Sequence, residues 1–223
     1  MKNVELESSA WTRRPQACVG FLGWLVVAWM WASCGRAPSM HYYTLQLPSP
    51  PAAGDPKTGF VLAVEPFRST DALRDDRILY YESVTQLGFY QQHRWVTDPP
   101  TMVQELAAQR LRQTGVFAQV QRPPLTQPAD YVLKGRVLNL EEIDYEGGVK
   151  GRAGLELSLL RSRDHKIVWS AQRQVENAVS EKGVAGVVNA LDGVLKQVLE
   201  EMTRAVVAQV ESDVQVPSGR TTP

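Results

Sequence analysis

An uncharged apolar segment near the N-terminus, Ala17 to Ser33, most constrains what this chain can fold into. Two arginines precede the segment, and the small pair Ala32-Ser33 stands directly before Cys34. This order of positive flank, apolar run, small residues and cysteine is typical of a lipoprotein signal peptide. The sequence therefore predicts cleavage before Cys34, acylation of that cysteine, and a folded body built only from later residues.

Two other interpretations of the segment stay open at this point. Its length overlaps the lower end of membrane-spanning helices, so an uncleaved signal anchor is the second alternative and a buried core helix the third. Three tryptophans, Trp24, Trp29 and Trp31, suit a membrane interface better than a compact core. Trp31 is also a departure from the usual signal, because Leu or Val is more common at that position.

Cleavage would remove 33 of the 223 residues and leave 190, enough for one soluble domain with its own core. The full chain carries 24 basic and 24 acidic residues, and the leader holds three basic and two acidic ones, so the mature net charge is −1. Such a charge gives no drive toward nucleic acid. The other cysteine, Cys18, lies in the leader, so no disulfide is expected in the mature chain.

Strands dominate the pattern of the mature chain. Short runs rich in aromatic, β-branched or alternating apolar residues predict strands at His41–Leu47, Phe60–Phe67, Ile78–Tyr81, Leu87–Tyr90, Val116–Gln121, Asp130–Tyr145, Leu155–Leu159 and Lys166–Val175. We expect the third and fourth runs to form a hairpin. A polar loop is predicted from Arg68 to Arg77, and Gly135 is a candidate bulge.

Two helices complete the pattern. The first is predicted to begin at Asp98, a capping residue followed by Pro99-Pro100, and to stop at Gly115. The second follows from apolar residues at three- and four-residue steps between Val184 and Val210, with Ser180-Glu181 placed as cap and dipole partner.

This order of elements predicts an α+β fold: a single domain with a mostly antiparallel sheet and two main helices packed on it, preceded by the lipoprotein signal peptide. The expected organisation is residues 1–33 as signal peptide, 34–40 as a lipidated tether, 41–211 as the α+β domain and 212–223 as a disordered tail.

Chemistry-bearing motifs are sparse. The three histidines, His41, His93 and His165, lie far apart without metal-ligand spacing, so each is expected to be satisfied locally or to face solvent. Phosphate loops, dinucleotide fingerprints and nucleophile elbows do not occur. Asp75 and Asp76 could act as the acid and base of an envelope hydrolase, but a solvated loop is the preferred interpretation. We expect no enzyme activity, no metal and no cofactor apart from the covalent lipid on Cys34.

Aromatic residues and arginines cluster between residues 77 and 95. The residues predicted to form a partner-binding surface are Arg77, Tyr80, Phe89, Tyr90, Arg94 and Trp95. Aromatic side chains and arginine are enriched at protein interfaces, which favours a face for a protein or an acyl ligand. The alternative, which the sequence favours slightly, is that Phe89 and Trp95 fill the core under the sheet.

A family resemblance follows from the order of several short motifs across residues 41–210. These motifs are Cys34, Tyr42-Tyr43-Thr44-Leu45, Val64-Glu65-Pro66-Phe67, Asp76-Arg77-Ile78-Leu79-Tyr80, Phe89-Tyr90, Arg94-Trp95, Pro99, Asp130-Tyr131-Val132-Leu133, Gly135 and the closing amphipathic helix. Together they resemble the ABC-type transport auxiliary lipoproteins, which include the paraquat-inducible protein C-like lipoproteins. Tyr81 departs from the pattern, because an arginine is more common there.

The resemblance implies a non-catalytic accessory subunit of an intermembrane transport system for phospholipids or other hydrophobic solutes. Its implied partners are an MCE-domain (mammalian-cell-entry) substrate-binding protein, the ABC permease and ATPase, and the bilayer that holds the acyl anchor. A ring-like homo-oligomer is a further implication. The implied location is the periplasmic face of the outer membrane, with the inner membrane as the alternative. A structural or regulatory envelope lipoprotein, acting in cell-wall synthesis or outer-membrane assembly, is the alternative function.

Overall fold

The computed structural model describes residues 38–46, 56–145 and 147–215. They form nine strands, two α-helices and one 3-10 helix: β1 (His41–Tyr43), β2 (Val61–Val64), β3 (Arg68–Ser69), the 3-10 helix Asp71–Arg74, β4 (Arg77–Tyr81), β5 (Leu87–Trp95), α1 (Pro99–Gln113), β6 (Gln119–Gln121), β7 (Tyr131–Ile143), β8 (Lys150–Arg161), β9 (Lys166–Ala178) and α2 (Val184–Gln215). The predicted α+β fold with two main helices is confirmed. Cys34 and the predicted signal peptide lie outside the described residues.

Strand β7 organises the sheet. Along one side it pairs in parallel with β2, β3 and β4 in turn, over two or three residues each. Along the other side it pairs antiparallel with β8 over almost its whole length, and β8 pairs antiparallel with β9. Strand β6 extends the sheet beyond β2, and β5 then β1 extend it beyond β4. The predicted mostly antiparallel sheet is therefore confirmed, because the long pairings are antiparallel and the parallel ones are short.

Both helices cover the sheet and bury its apolar side chains. Helix α2 contacts β7, β8 and β9, and α1 contacts β6, β7 and α2. The predicted inward face of β8 is confirmed, since Leu155, Leu157 and Leu159 are each 0% exposed. Opposite them lie the buried α2 residues Leu191, Val194, Leu195, Val198, Leu199, Met202 and Val206. The three- and four-residue spacing of that stripe is why this segment folds as a helix on the sheet.

The ends of α1 follow the sequence prediction. The carboxylate of Asp98 accepts a hydrogen bond from the backbone N–H of Thr101, with an N–O distance of 3.1 Å, and prolines occupy the first helical positions. Gly115, two residues after the helix, has φ +64°, the left-handed conformation that ends helices and favours glycine.

The start and end of α2 differ from the prediction. The helix begins at Val184, so Ser180 lies too far upstream to cap it, and Gly183 with φ +83° precedes the first turn. The Glu181 carboxylate instead accepts a hydrogen bond from the Asn189 side chain. The helix also extends past the predicted domain end at residue 211, through residue 215.

Two local predictions in the sheet are wrong. The region predicted as a polar loop, residues 68–77, contains β3 and the 3-10 helix, because Arg68 and Ser69 find partners on β7. Gly135 is not at a bulge: the shift in register lies between Val137 and Asn139. A Cβ atom at Gly135 would lie 2.5 Å from the Phe67 ring, so this glycine is needed for close packing.

Candidate interaction surface

The β4–β5 hairpin carries all six residues of the predicted surface, and its pairing is irregular. Arg77 pairs with Arg94 and Leu79 pairs with Phe89, so residues 90–93 of β5 stand opposite the single residue Ile78. An extra-residue bulge of this kind re-aims side chains that a regular strand would place alternately up and down. Within this stretch, Tyr90 contacts Glu142 of β7 and His93 stacks on His41 of β1.

Arginines and aspartates form two ion pairs at the base of the hairpin. Arg77 binds Asp75 with both ends of its guanidinium group, at Nε–Oδ1 2.9 Å and Nη2–Oδ2 2.7 Å. The hydrogen bond from Arg77 lowers the pKa of Asp75 to about 2. Arg94 forms the second ion pair, with Asp76. Both aspartates considered as a catalytic acid and base are thus engaged by arginines.

The Arg77 guanidinium also lies over the ring of Phe89, with its carbon atom 4.5 Å from the ring centroid. Phe89 is partly buried and packs against the core, so its ring contacts both the core and the cation. Cation–π contacts of this kind stabilise an arginine in one orientation. Arg77, Phe89 and Asp75 therefore form one ordered unit.

Trp95 does not belong to the surface. It is 1% exposed and is one of the largest fully buried side chains, because β5 places it over the core beside Tyr43 of β1. Its backbone N–H donates to the carbonyl of Asp76 at 2.6 Å. Trp95 is therefore a core residue in this structure, and the partner-contact prediction for it is corrected. Its position agrees with the alternative interpretation of the sequence, in which Trp95 fills the core.

Two tyrosines lie in the middle of the hairpin. The rings of Tyr80 and Tyr90 are tilted against each other with centroids 5.0 Å apart. The Tyr90 hydroxyl donates to the Glu142 carboxylate at 2.8 Å. Burial and, as a smaller cause, the hydrogen bond to Glu142 raise the pKa of Tyr90 far above its usual range. Burial also raises the pKa of Glu142. The hydroxyl is thus a fixed neutral donor.

Sequence reasoning missed the histidines beside these tyrosines. His41 and His93 stack with centroids 5.0 Å apart and an interplanar angle of 14°. The Tyr43 hydroxyl lies 2.9 Å from Nδ1 of His93, and the Tyr90 ring meets His93 edge-on. Burial, then the nearby His41, lowers the pKa of His93. The parallel pairing of β1 with β5 brings His41 and His93 together although they are far apart in sequence, and no local spacing pattern predicts that pairing.

A second carboxylate beside Glu142 is held in the sheet. Glu141 is 2% exposed and accepts hydrogen bonds from Arg152 Nε at 2.8 Å and Asn139 Nδ2 at 2.9 Å. Burial raises its pKa, while Arg152 opposes that shift.

Within residues 38–46, 56–145 and 147–215, no group of three or more metal-binding side chains occurs. In the same ranges, no helix is both long and apolar enough to cross a membrane.

Comparison with known proteins decides the family. The chain matches the ABC-type transport auxiliary lipoprotein component family over residues 43–203. It belongs to that family. The match covers the sheet from the last residue of β1 through most of α2, and with it the whole β4–β5 hairpin. Membership makes the protein an auxiliary lipoprotein component of ABC-type transport. Among functionally curated proteins, none matches the chain.

Solved structures share the fold of this auxiliary lipoprotein. A DUF330-family protein from Xanthomonas campestris has a TM-score of 0.70 at 22% identity, covering 78% of this chain and 99% of that one. An uncharacterized protein has a TM-score of 0.60 at 17% identity, covering 76% and 99%. A hypothetical protein from Chlamydia trachomatis has a TM-score of 0.52 at 8% identity, covering 69% and 98%. These likenesses concern the fold alone.

Proposed function

We propose that this lipoprotein is a non-catalytic accessory subunit of an ABC/MCE-type system that moves phospholipids or other hydrophobic solutes between two membranes. The observation that carries the proposal is the family match over residues 43–203. The partners are an MCE-domain substrate-binding protein and the ABC permease and ATPase. The subunit attaches this machinery to the membrane in which the subunit itself is anchored. It requires no cofactor.

The anchor in this proposal is the acylated Cys34, at the periplasmic face of the outer membrane. Gly35 supports the outer membrane, because an aspartate after the cysteine would resemble an inner-membrane retention signal. Several acyl chains on one residue bind a bilayer far more firmly than a single chain does. A non-catalytic role is supported by the carboxylates of the hairpin region, since Asp75 and Asp76 pair with arginines and Glu142 accepts from a tyrosine.

The proposed partner-binding surface comprises the partly exposed predicted residues of the hairpin: Arg77, Tyr80, Phe89, Tyr90 and Arg94. Their side chains are partly exposed, and the contacts described above hold them in place. Ordered aromatic and arginine side chains lose little conformational entropy on binding, which favours affinity. Arg94 is the best residue to test, because its side chain is 30% exposed and its removal opens no core cavity.

Affinity capture from detergent extracts tests the function. The wild-type lipoprotein should recover an MCE-domain subunit or a transporter subunit. Repeated captures that contain neither would overturn the proposed transport role.

Charge reversal tests the surface within the same assay. Arg94→Glu should reduce recovery of the MCE-domain subunit, because a carboxylate replaces a cation beside Asp76. Arg204→Glu is the matched control: Arg204 on α2 also pairs with a carboxylate, that of Glu200, and is 73% exposed. Arg204→Glu loses an exposed ion pair worth ~0–1 kcal/mol. Arg94→Glu loses a half-buried pair and places a carboxylate beside Asp76, so far-UV circular dichroism of both variants must show the wild-type fold before capture. Equal recovery with both variants would refute the surface while leaving the function standing.

A further inference from the structure

Strand β1 is attached to the sheet by few contacts. It spans three residues, His41–Tyr43, and among the described strands it pairs with β5 alone. Beyond that pairing, the backbone N–H of Val96 donates to the carbonyl of Tyr43 at 2.9 Å. Leu45, two residues later, is buried in the core. Such a short edge strand can open locally as far as Leu45 while the rest of the sheet stays folded.

A pair of histidines lies within this pairing. His41 of β1 is directly opposite His93 of β5, and the two rings stack with centroids 5.0 Å apart. Neutral rings can stack in this way at no electrostatic cost, but two imidazolium rings at this separation repel each other. The pairing of β1 with β5 is therefore coupled to the number of protons that the two rings hold.

The surroundings of His93 favour its neutral form. The Tyr43 hydroxyl lies 2.9 Å from Nδ1 of His93. A neutral imidazole can accept a hydrogen bond from that hydroxyl at Nδ1, whereas an imidazolium has only donors. Burial, and then His41, lowers the pKa of His93. A proton on His93 thus opposes both the burial of its ring and its contacts with β1.

Charged side chains on the neighbouring strands are engaged with one another. In the part of the chain that the structure describes, His41 is the only charged or titratable group that shifts the pKa of His93 electrostatically. A protonated His93 therefore gains no counter-charge from these strands. The neighbouring groups are the ion pairs Arg77–Asp75 and Arg94–Asp76, the Tyr90–Glu142 hydrogen bond, Asp144 after β7, and the hydroxyls of Tyr43 and Tyr80.

We propose that the His41–His93 stack is a pH-sensitive contact, which holds β1 on β5 while the rings are neutral and releases β1 when both are protonated. The chain before β1 leads to Cys34. Release would therefore lengthen the connection between that residue and the core by the four residues 41–44, at most about 14 Å. Only this consequence for membrane attachment rests on the proposed function; the release of β1 does not.

The direction of the effect follows from the proton balance. In the detached strand pair, His93 has the ordinary histidine pKa of about 6.5, and the closed pair lowers that pKa. The detached state therefore binds more protons as the pH falls, and the pairing weakens from about pH 7 toward pH 5. Uptake of one extra proton raises the equilibrium constant for opening by at most about tenfold per pH unit.

Hydrogen exchange of the full-length protein in detergent measures this opening. The Val96 amide reports on β1, because its partner is the Tyr43 carbonyl, and its exchange is corrected for the intrinsic rate at each pH. The Glu65 amide, which donates to the Leu133 carbonyl at 3.0 Å, is the internal reference in the centre of the sheet.

Three variants assign the titration. His41→Gln and His93→Gln each remove one ring of the stack. His165→Asn is the matched control, because it removes the third histidine of the chain, in the turn between β8 and β9. His165 has φ +55°, a conformation that asparagine tolerates.

In the wild type and in His165→Asn, protection of the Val96 amide should fall about threefold or more between pH 7.5 and pH 5.0, while protection of Glu65 stays constant. Both variants of the stack should lose this pH dependence. If His93→Gln leaves β1 detached at every pH, His41→Gln decides, because His41 is exposed and its removal opens no cavity.

Constant protection of Val96 in the wild type would overturn the proposal. A fall that persists in both variants of the stack would also overturn it, because the titrating group would then be another one, such as Glu142. Neither readout depends on Cys34 or on a transport partner, so the proposed function stands or fails separately in the capture assay.

Discussion

Replacing Trp95 with alanine should strongly destabilise the domain, because its side chain is 1% exposed at the junction of β1, β5 and the core. A buried aromatic side chain removes roughly 150–250 Å² from water, worth about 4–6 kcal/mol at ~25 cal/mol per Å². Residual compactness of the unfolded chain lowers this figure by about 10–40%. We therefore expect a loss of about 3–5 kcal/mol in the free energy of unfolding, as for other buried aromatic residues.

Urea unfolding followed by far-UV circular dichroism measures this loss. Residues 34–223 contain only two tryptophans, Trp95 and Trp169, so circular dichroism avoids dependence on the deleted fluorophore. The melting temperature should fall by about 6–20 °C for a domain of this size. Trp169→Ala on β9 is the control and should cost less, because Trp169 is only partly buried. A loss below about 1 kcal/mol for Trp95→Ala would refute the core assignment and restore Trp95 as a surface residue.

Three further predictions concern packing and charge. Gly135→Ala should destabilise the domain by about 1–3 kcal/mol, because the added methyl group would clash with the Phe67 ring. In a double-mutant cycle measured by urea unfolding, adding Phe67→Leu should restore part of the lost stability. Asp75 has a lowered pKa, so its pairing with Arg77 stabilises the fold above about pH 4, and this stabilisation is lost as the pH falls toward 2. Asp75→Asn should therefore reduce the loss of stability at acid pH in a plot of unfolding free energy against pH. An unchanged loss of stability at acid pH would contradict the pairing. Asp213→Ala removes an acceptor for a tyrosine of β7 and an arginine of β8, so hydrogen exchange should accelerate in the last turns of α2 while the start of that helix stays protected.

Local patterns in the sequence were sufficient where a single segment determines its own structure. The capping aspartate and paired prolines correctly predict the start of α1, and Gly115 its stop, because capping depends on neighbouring residues alone. The alternating leucines of β8 correctly predict which face of that strand is buried. The family and the fold class also follow from the order of motifs.

Distant pairings could not be predicted from the same patterns. Strand β3 is two residues long and exists because β7 offers it hydrogen-bonding partners, so the polar sequence there indicated only a loop. Gly135 indicated a bulge, yet its role is set by the Phe67 ring, 68 positions away in sequence. Such contacts belong to the tertiary structure and leave no local pattern.

The candidate surface could likewise be predicted only in part from the sequence. The composition of residues 77–95 correctly drew attention to this hairpin, but strand periodicity could not tell exposed aromatic residues from buried ones. The three-residue shift in register between β4 and β5 breaks the alternation on which such an argument depends. Trp95 consequently lies in the core, while His41 and His93, which the sequence left separate, stack on each other.

The central position of β7 has a consequence for how the protein is made. This strand is the shared neighbour of β2, β3, β4 and β8, yet its first residue is Tyr131. Because the chain is synthesised from its N-terminus, the earlier strands appear with unpaired edges before their common neighbour is made. Unpaired strand edges promote aggregation, so the chain should be most prone to aggregate until more than half of it is available for folding.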